Sequence, residues 1–265
     1  MTLLCAVVAA EGTTAMVATH DSLMLDIAAR VVELRDGPPG DPSMSRPPAD
    51  TPPPSDRTRV RRMPERGRYD RATIDAILDA AIVGHVGYVI GGQPFVTPTS
   101  VWRVDDRLYW HGSAASRALR ATPDGTPVCV TVTHLDGLIL ARSGFDHSVD
   151  YRSVMVLGDA HTVIDDDEKL AALTAFTDHL YPGRWEQLRP ATRQELKATA
   201  VLWVALDEAS AKVRDHGYKD AADDSGWPVW VGSIPLRTVA GEPLQLPGQP
   251  ADLPAPVIAP GLVEA

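Results

Sequence analysis

The sequence predicts a β-rich α+β fold, a small antiparallel barrel with helices on its outside. Three observations point there. Short apolar runs recur at close spacing with Gly or Asp turn signals between them, and the few helical stretches never form a repeated strand–helix–strand unit. The prolines crowd into 38–64 and 228–260, bracketing a middle that can pack. At 265 residues and 44% apolar content, the chain can bury a sizeable core. The packed domain is therefore expected over 61–236, between a disordered Pro-rich linker at 38–60 and a flexible Pro-rich tail at 237–265.

In chain order, Asp70 is placed to cap a helix whose Ile74, Ile77, Leu78 and Ala81 form one apolar stripe, ending at Gly84. A meander follows: strand 85–90, a Gly91-Gly92 hairpin turn, strand 93–104, a turn at Asp105-Asp106, and strand 107–111. A short helix at 115–121 leads through Asp124-Gly125 to strand 128–133, which alternates Val128, Val130 and Val132 with Cys129, Thr131 and Thr133. Asp136-Gly137 reads as a turn into strand 138–142. Strands 151–157 and 159–164 follow, with Gly158 as a bulge or bend. Asp165-Asp166-Asp167 opens a second helix, carrying Leu170, Leu173, Thr177 and Leu180 and stopping at Pro182-Gly183. A third helix at 191–198 precedes strand 201–209.

The stretch YWHGSAASR at 109–117 turns a strand into a helix through a small polar elbow. Its backbone N–H groups, Ser113, Ser116, His111 and the Arg117 guanidinium converge as a phosphate seat would require, and Gly112 lets a ligand come close. The bland alternative is Ser113 as a helix cap beside a surface arginine.

A formal charge of −10 and a pI near 5.2 disfavour nucleic acid and anionic membranes as partners. Cys5 and Cys129 have no partner motif, which fits reduced thiols and a cytoplasmic location. Residues 1–10 mimic a signal peptide but lack a basic start and are too short to span a bilayer. His134, His147, His161, His179 and His216 are scattered without metal-ligand spacing, so no metal site is expected. Among them His147 stands out, just ahead of the Tyr151-Arg152-Ser153 strand.

Residues 12–37 resemble the C-terminal end of an ABC-transporter ATPase, with His20 of ATHD at the γ-phosphate-sensing position. No phosphate-binding loop or signature motif accompanies it, so this stretch is read as a non-functional fragment, from a gene fusion or a start codon placed too early.

Across 57–240, MPERGRYD, GHVGYVIGGQPFVTPTS, LYWHGSAASR, VCVTVTHLDGLILARS, VDYRSVMVLGDA, ASAKVR and WPVWVGSIPL follow in order. Together they resemble the flavin-nucleotide-binding split-barrel proteins related to pyridoxamine 5′-phosphate oxidase, in the branch with the nitroimidazole-resistance proteins. The resemblance implies a dimeric split barrel with FMN in clefts between two subunits. Thr97, Pro98 and Thr99 would lie along the isoalloxazine; His111, Gly112, Ser113, Ser116 and Arg117 would sit at the ribityl phosphate end. Arg152, Ser153 and Val154 would approach from a neighbouring strand, Lys212 and Arg214 would add positive charge, and Trp227 and Trp230 would close the cleft from the other subunit's arm. His111 matches the histidine of the reactive centre. The implied function is an FMN-dependent oxidoreductase of small aromatic, nitro or amine substrates. The alternatives are a non-catalytic flavin or haem binder, with His111 or His147 as axial ligand, and a deazaflavin-dependent reductase.

Overall fold

Strand pairing, all antiparallel between the named strands, organises residues 51–122, 124–218, 224–250 and 253–263, which the computed structural model describes. The ATPase-like fragment at 1–37, with His20 and Cys5, lies outside these residues, as does the linker up to 50. The elements are β1 (Gly67–Arg68), α1 (Arg71–Asp79), β2 (Val83–Ile90), β3 (Gln93–Val104), β4 (Arg107–Ser113), α2 (Arg117–Ala121), β5 (Thr126–Leu140), β6 (Ser148–Thr162), α3 (Asp166–Leu180), α4 (Arg193–Ala198), β7 (Thr199–Ala205), β8 (Ala209–Arg214) and β9 (Gly232–Pro235). Their order across the sheet is β1-β8-β6-β7-β4-β3-β2-β5-β9. Because β5 also pairs with β6, the strands from β6 round to β5 close into a barrel, and β1, β8 and β9 are left as flanges. One edge of β6 changes partner, pairing with β8 at 151–156 and with β7 at 161–162. That change splits the barrel.

Side chains alternate across the strands and build two cores. Val101, Trp110 and Leu202 point into the barrel, beneath Ile74, Ile77 and Leu78 of α1. Their neighbours Trp102, Tyr109 and Val201 point outward and are covered by Ala172, Leu173 and Phe176 of α3. Asp70 caps its helix as the sequence predicts, accepting from the Thr73 N–H at 2.8 Å; the helix opened by Asp165-Asp166-Asp167 is capped by Asp165, which accepts from the N–H groups of Asp167 and Glu168.

Several boundaries move, each for a packing reason. The first helix ends by Ala80; Gly84 lies within β2, where a Cβ would come 2.7 Å from Val101 Cγ1. Asp136-Gly137 is an irregularity inside a continuous β5, since Leu138 and Ile139 go on pairing with β6 and β9. Strand β6 likewise runs through Gly158, whose missing side chain admits Val204 of β7; a Cβ there would be 2.7 Å from Val204 Cγ2. The single strand expected at 201–209 is two, β7 and β8, with the Leu206 N–H donating to Asp106 O between them.

Within the stretch expected as linker, Thr58 is 1% exposed, Arg57 pairs with Glu208, and the Val60 N–H donates to Tyr69 Oη at 2.8 Å. Packing thus begins ahead of 61. In the tail, Leu262 is buried and the Ala259 N–H donates to Leu180 O at the end of α3. No described helix is long and apolar enough to cross a membrane.

Candidate functional site

The site arises where β3 and β4 part. Their ladder runs from Val104↔Arg107 to Val101↔Trp110 and stops; beyond it β3 stays with β2, at Thr99↔Gly84 and Thr97↔Val86, while β4 stays with β7, at His111↔Val201 and Ser113↔Thr199. The gap is a cleft of about 160 Å³. Thr97, Pro98 and Thr99 line one side, His111, Gly112 and Ser116 the other, with Val86, Tyr88, Trp110, Leu119 and Thr122 closing it. Six residues expected at the site from the resemblance therefore meet in one place.

Each is held locally. Thr97 Oγ1 is 2.9 Å from Tyr88 Oη, and the Thr99 hydroxyl donates across the gap to His111 O at 3.2 Å. Gly112 permits α2 to fold close, because a Cβ would lie 3.0 Å from Leu119 Cδ1. The elbow turns on Ser113, which accepts from the Ala115 N–H through Oγ and from the Ser116 N–H through its carbonyl. Ser113 is exposed and occupied with this turn, whereas the Ser116 side chain makes no cap bond and is left for the cleft.

His111 spans the cleft and the outer core. Its ring packs against Phe176 at 4.7 Å and Trp102 at 5.5 Å, and its buried Nδ1 has no hydrogen-bond partner among the described residues. Burial pushes its pKa below the ordinary histidine range, so the imidazole is neutral at pH 7 and able to give or take a proton at a ring nitrogen. Arg117 is exposed, its guanidinium 4.7 Å from the centre of the Phe95 ring, and no described carboxylate pairs with it.

Neither Ser113 nor Arg117 is among the residues lining the cleft, and the remaining predicted residues do not line it either. Arg152 makes a two-point bond to Asp136 at 3.0 and 2.9 Å, and Ser153 Oγ donates to Lys212 O. Val154 is a core residue whose strand is paired on both edges, at Val132 and Ala211. Lys212 sits opposite Ser153 on β8; Arg214 is 4% exposed and paired with Asp150. Trp227 and Trp230 are exposed on the C-terminal arm.

The sequence model described as pyridoxamine 5′-phosphate oxidase matches residues 70–213, more than half of the chain. The chain belongs to this family. The cleft of this pyridoxamine 5′-phosphate oxidase family member lies wholly within the matched residues. Among solved structures, the chain is similar to the flavocytochrome Anf3 from Azotobacter vinelandii, at 43% identity over 79% of this chain and 96% of that one, with a TM-score of 0.72. It is also similar to the FAD and heme binding protein from Mycobacterium smegmatis, at 38% identity over 74% and 95%, TM-score 0.68. A protein named for 5-nitroimidazole antibiotic resistance from Bacteroides thetaiotaomicron aligns at 22% identity over 56% and 86%, TM-score 0.47. A search of the curated proteins finds no match.

Sequence reasoning missed Val86, Tyr88, Trp110, Leu119 and Thr122 as walls of the family cleft. Val86 and Tyr88, two apart on β2, share a face, which was the available signal.

Burial also holds His134 of this family member below the ordinary range, its Nε2 lying 2.9 Å from Ile77 O. A histidine that resists protonation only when folded lets the unfolded chain bind more protons in acid. Its stabilising contribution is therefore complete above about pH 6.5 and lost as pH falls below that. The melting temperature is expected to drop between pH 7.5 and 5.5, less steeply in His134→Gln. Parallel melting profiles for the two proteins would remove His134 from the account.

Proposed function

We propose that the chain is a flavin-dependent redox protein, holding a flavin in the cleft between β3 and β4 and carrying haem as a second centre. The carrying observation is the cleft itself: apolar walls for a flat aromatic ring, hydroxyls and a neutral imidazole for its polar edge, and at the elbow an arginine with no carboxylate partner among the described residues. Bound flavin supplies one- and two-electron chemistry. The chain's own groups do the rest. Thr97 and Thr99 orient the ring's edge; Val86, Trp110 and Leu119 exclude water; His111 holds or delivers a proton; and Ser116 with Arg117 binds the phosphate.

A volume near 160 Å³ receives only part of a tricyclic ring. A second copy of the chain completes the wall, as the dimeric resemblance implies. The family resemblance favours FMN and small aromatic, nitro or amine substrates. The relative named for FAD and heme favours FAD, and it and the flavocytochrome carry the haem part of the proposal.

The purified full-length protein is expected to show paired flavin bands in the blue and near-UV together with an intense Soret band. Acid extraction and chromatography then identify the flavin. A protein that is colourless as purified, and takes up neither group when titrated, would contradict the proposal.

A further inference from the structure

Arg117 is held by a different device from the arginines that brace the barrel. Arg57, Arg71, Arg103, Arg152 and Arg214 each spend N–H groups on a carboxylate. Arg107 lies over the Trp203 ring, 3.9 Å from its centre, but its donors still go to Glu168 and Tyr109. Arg117 lies over the Phe95 ring at 4.7 Å, and no carboxylate pairs with it among the described residues. A guanidinium that rests on an aromatic ring uses its flat face, while its five N–H donors project from its edge. The contact therefore fixes where the charge sits and leaves the donors open to an anion.

Phe95 is in turn fixed by the cleft wall. Along β3 the half-buried Phe95, Thr97 and Thr99 alternate with exposed Val96 and Pro98, so they share one face. Phe95 stands opposite Tyr88 of β2, and the two rings stack with centres 5.9 Å apart and planes 15° apart. Tyr88 is buried, with its Oη 2.9 Å from Thr97 Oγ1. A braced row thus runs from the cleft lining at Thr97 through Tyr88 and Phe95 to Arg117. Neither Phe95 nor Arg117 lines the cleft; each follows a lining residue, Thr97 on β3 and Ser116 at the elbow, so they meet at its rim. The Thr99 hydroxyl bonded to His111 O joins the two sides at one end, and Arg117 on Phe95 joins them again about 13 Å along β3 by strand rise.

We propose that Phe95 is the positioning residue of the phosphate site: its ring holds the Arg117 guanidinium at the rim with the donors open, and so favours phosphorylated flavins over riboflavin. This rests on the flavin reading above. Covering Tyr88 asks only for an apolar side chain at position 95, which leucine would supply. Seating a guanidinium by its face is what requires a ring.

The test titrates the full-length protein with FMN and riboflavin, as wild type, Phe95→Leu, Phe95→Tyr, Phe95→Glu, Arg117→Ala, and Phe95→Leu with Arg117→Ala. Riboflavin affinity reports on the fold and the ring site, and the ratio of FMN to riboflavin affinity reports on the phosphate. Phe95→Leu should lower that ratio about two- to fivefold, as loss of a cation–π contact at an exposed site would. Phe95→Tyr, which keeps the ring face, should retain the wild-type ratio. Phe95→Glu sets a carboxylate against the guanidinium and occupies its donors, so it should lower the ratio as far as Arg117→Ala does. Once Arg117 is gone, Phe95→Leu should change the ratio no further. If Arg117→Ala lowers the ratio while Phe95→Leu leaves it unchanged or raises it, or if the Phe95→Leu effect persists without Arg117, the positioning role is wrong and the phosphate reading stands. If Arg117→Ala leaves the ratio unchanged, or wild type binds neither flavin, that reading itself fails and the role of Phe95 with it.

Discussion

Replacing Trp102 by alanine is expected to cost about 3 to 5 kcal/mol of stability and to loosen the flavin site at the same time. Trp102 is fully buried, with ring centres 4.9 Å from Phe176, 5.8 Å from Tyr109 and 5.5 Å from His111. Truncation leaves a cavity under α3 and removes one of the two aromatic walls that hold the imidazole at the cleft. The indole Nε1 is itself buried without a partner among the described residues, a defect of about 1 to 3 kcal/mol. Trp102→Phe discards that unpaired N–H along with part of the ring, so it should be much the milder change. Urea denaturation of the three proteins, with and without flavin, checks both statements. A loss below about 1 kcal/mol in Trp102→Ala would mean that the outer core does not depend on this residue.

Asp150→Ala is expected to be similarly severe, at about 3 to 5 kcal/mol, because it strands a charge. Arg214 is 4% exposed and is held by the Asp150 carboxylate and by Gly217 O at 2.8 Å; its Nε has no partner among the described residues. Without Asp150 the guanidinium stays buried with carbonyl oxygens alone. Removing both charges, in Asp150→Leu with Arg214→Met, should recover much of the loss, since an apolar pair of similar size avoids the desolvation cost. The double variant also separates the structural role of Arg214 from the cofactor role implied by the family resemblance. Unchanged flavin affinity assigns Arg214 to the frame of the barrel, and a loss of tenfold or more returns it to the site.

What was legible in the sequence was local. The period of two in β5, the stripe Ile74-Ile77-Leu78 and the cap Asp70 depend only on neighbours along the chain, and they read correctly. Glycine is ambiguous in such a reading, because the same residue serves a reversal or a close approach. Gly158 and Gly84 serve close approach, to Val204 and Val101, and so looked like boundaries where strands continue. The cleft is non-local. Thr97 and Ser116 meet because β3 and β4 change partners, and no spacing rule encodes that parting. For the same reason Arg152 and Arg214 looked free: their carboxylates lie 16 and 64 residues away in the chain, where only the folded ladder brings them together.

The central claim, that a flavin lies in the cleft with its phosphate at the elbow, is tested most directly by titrating wild type and Arg117→Ala with FMN, FAD and riboflavin. Arg117 rests over Phe95 with no described carboxylate to hold it, so it is available to a phosphate. A charge-assisted contact of this kind is worth about 1.5 to 3 kcal/mol. The account predicts that Arg117→Ala loses roughly ten- to a hundredfold in affinity for FMN and FAD while riboflavin, without a phosphate, binds as before. Equal losses for all three flavins, or no loss for any, would contradict it.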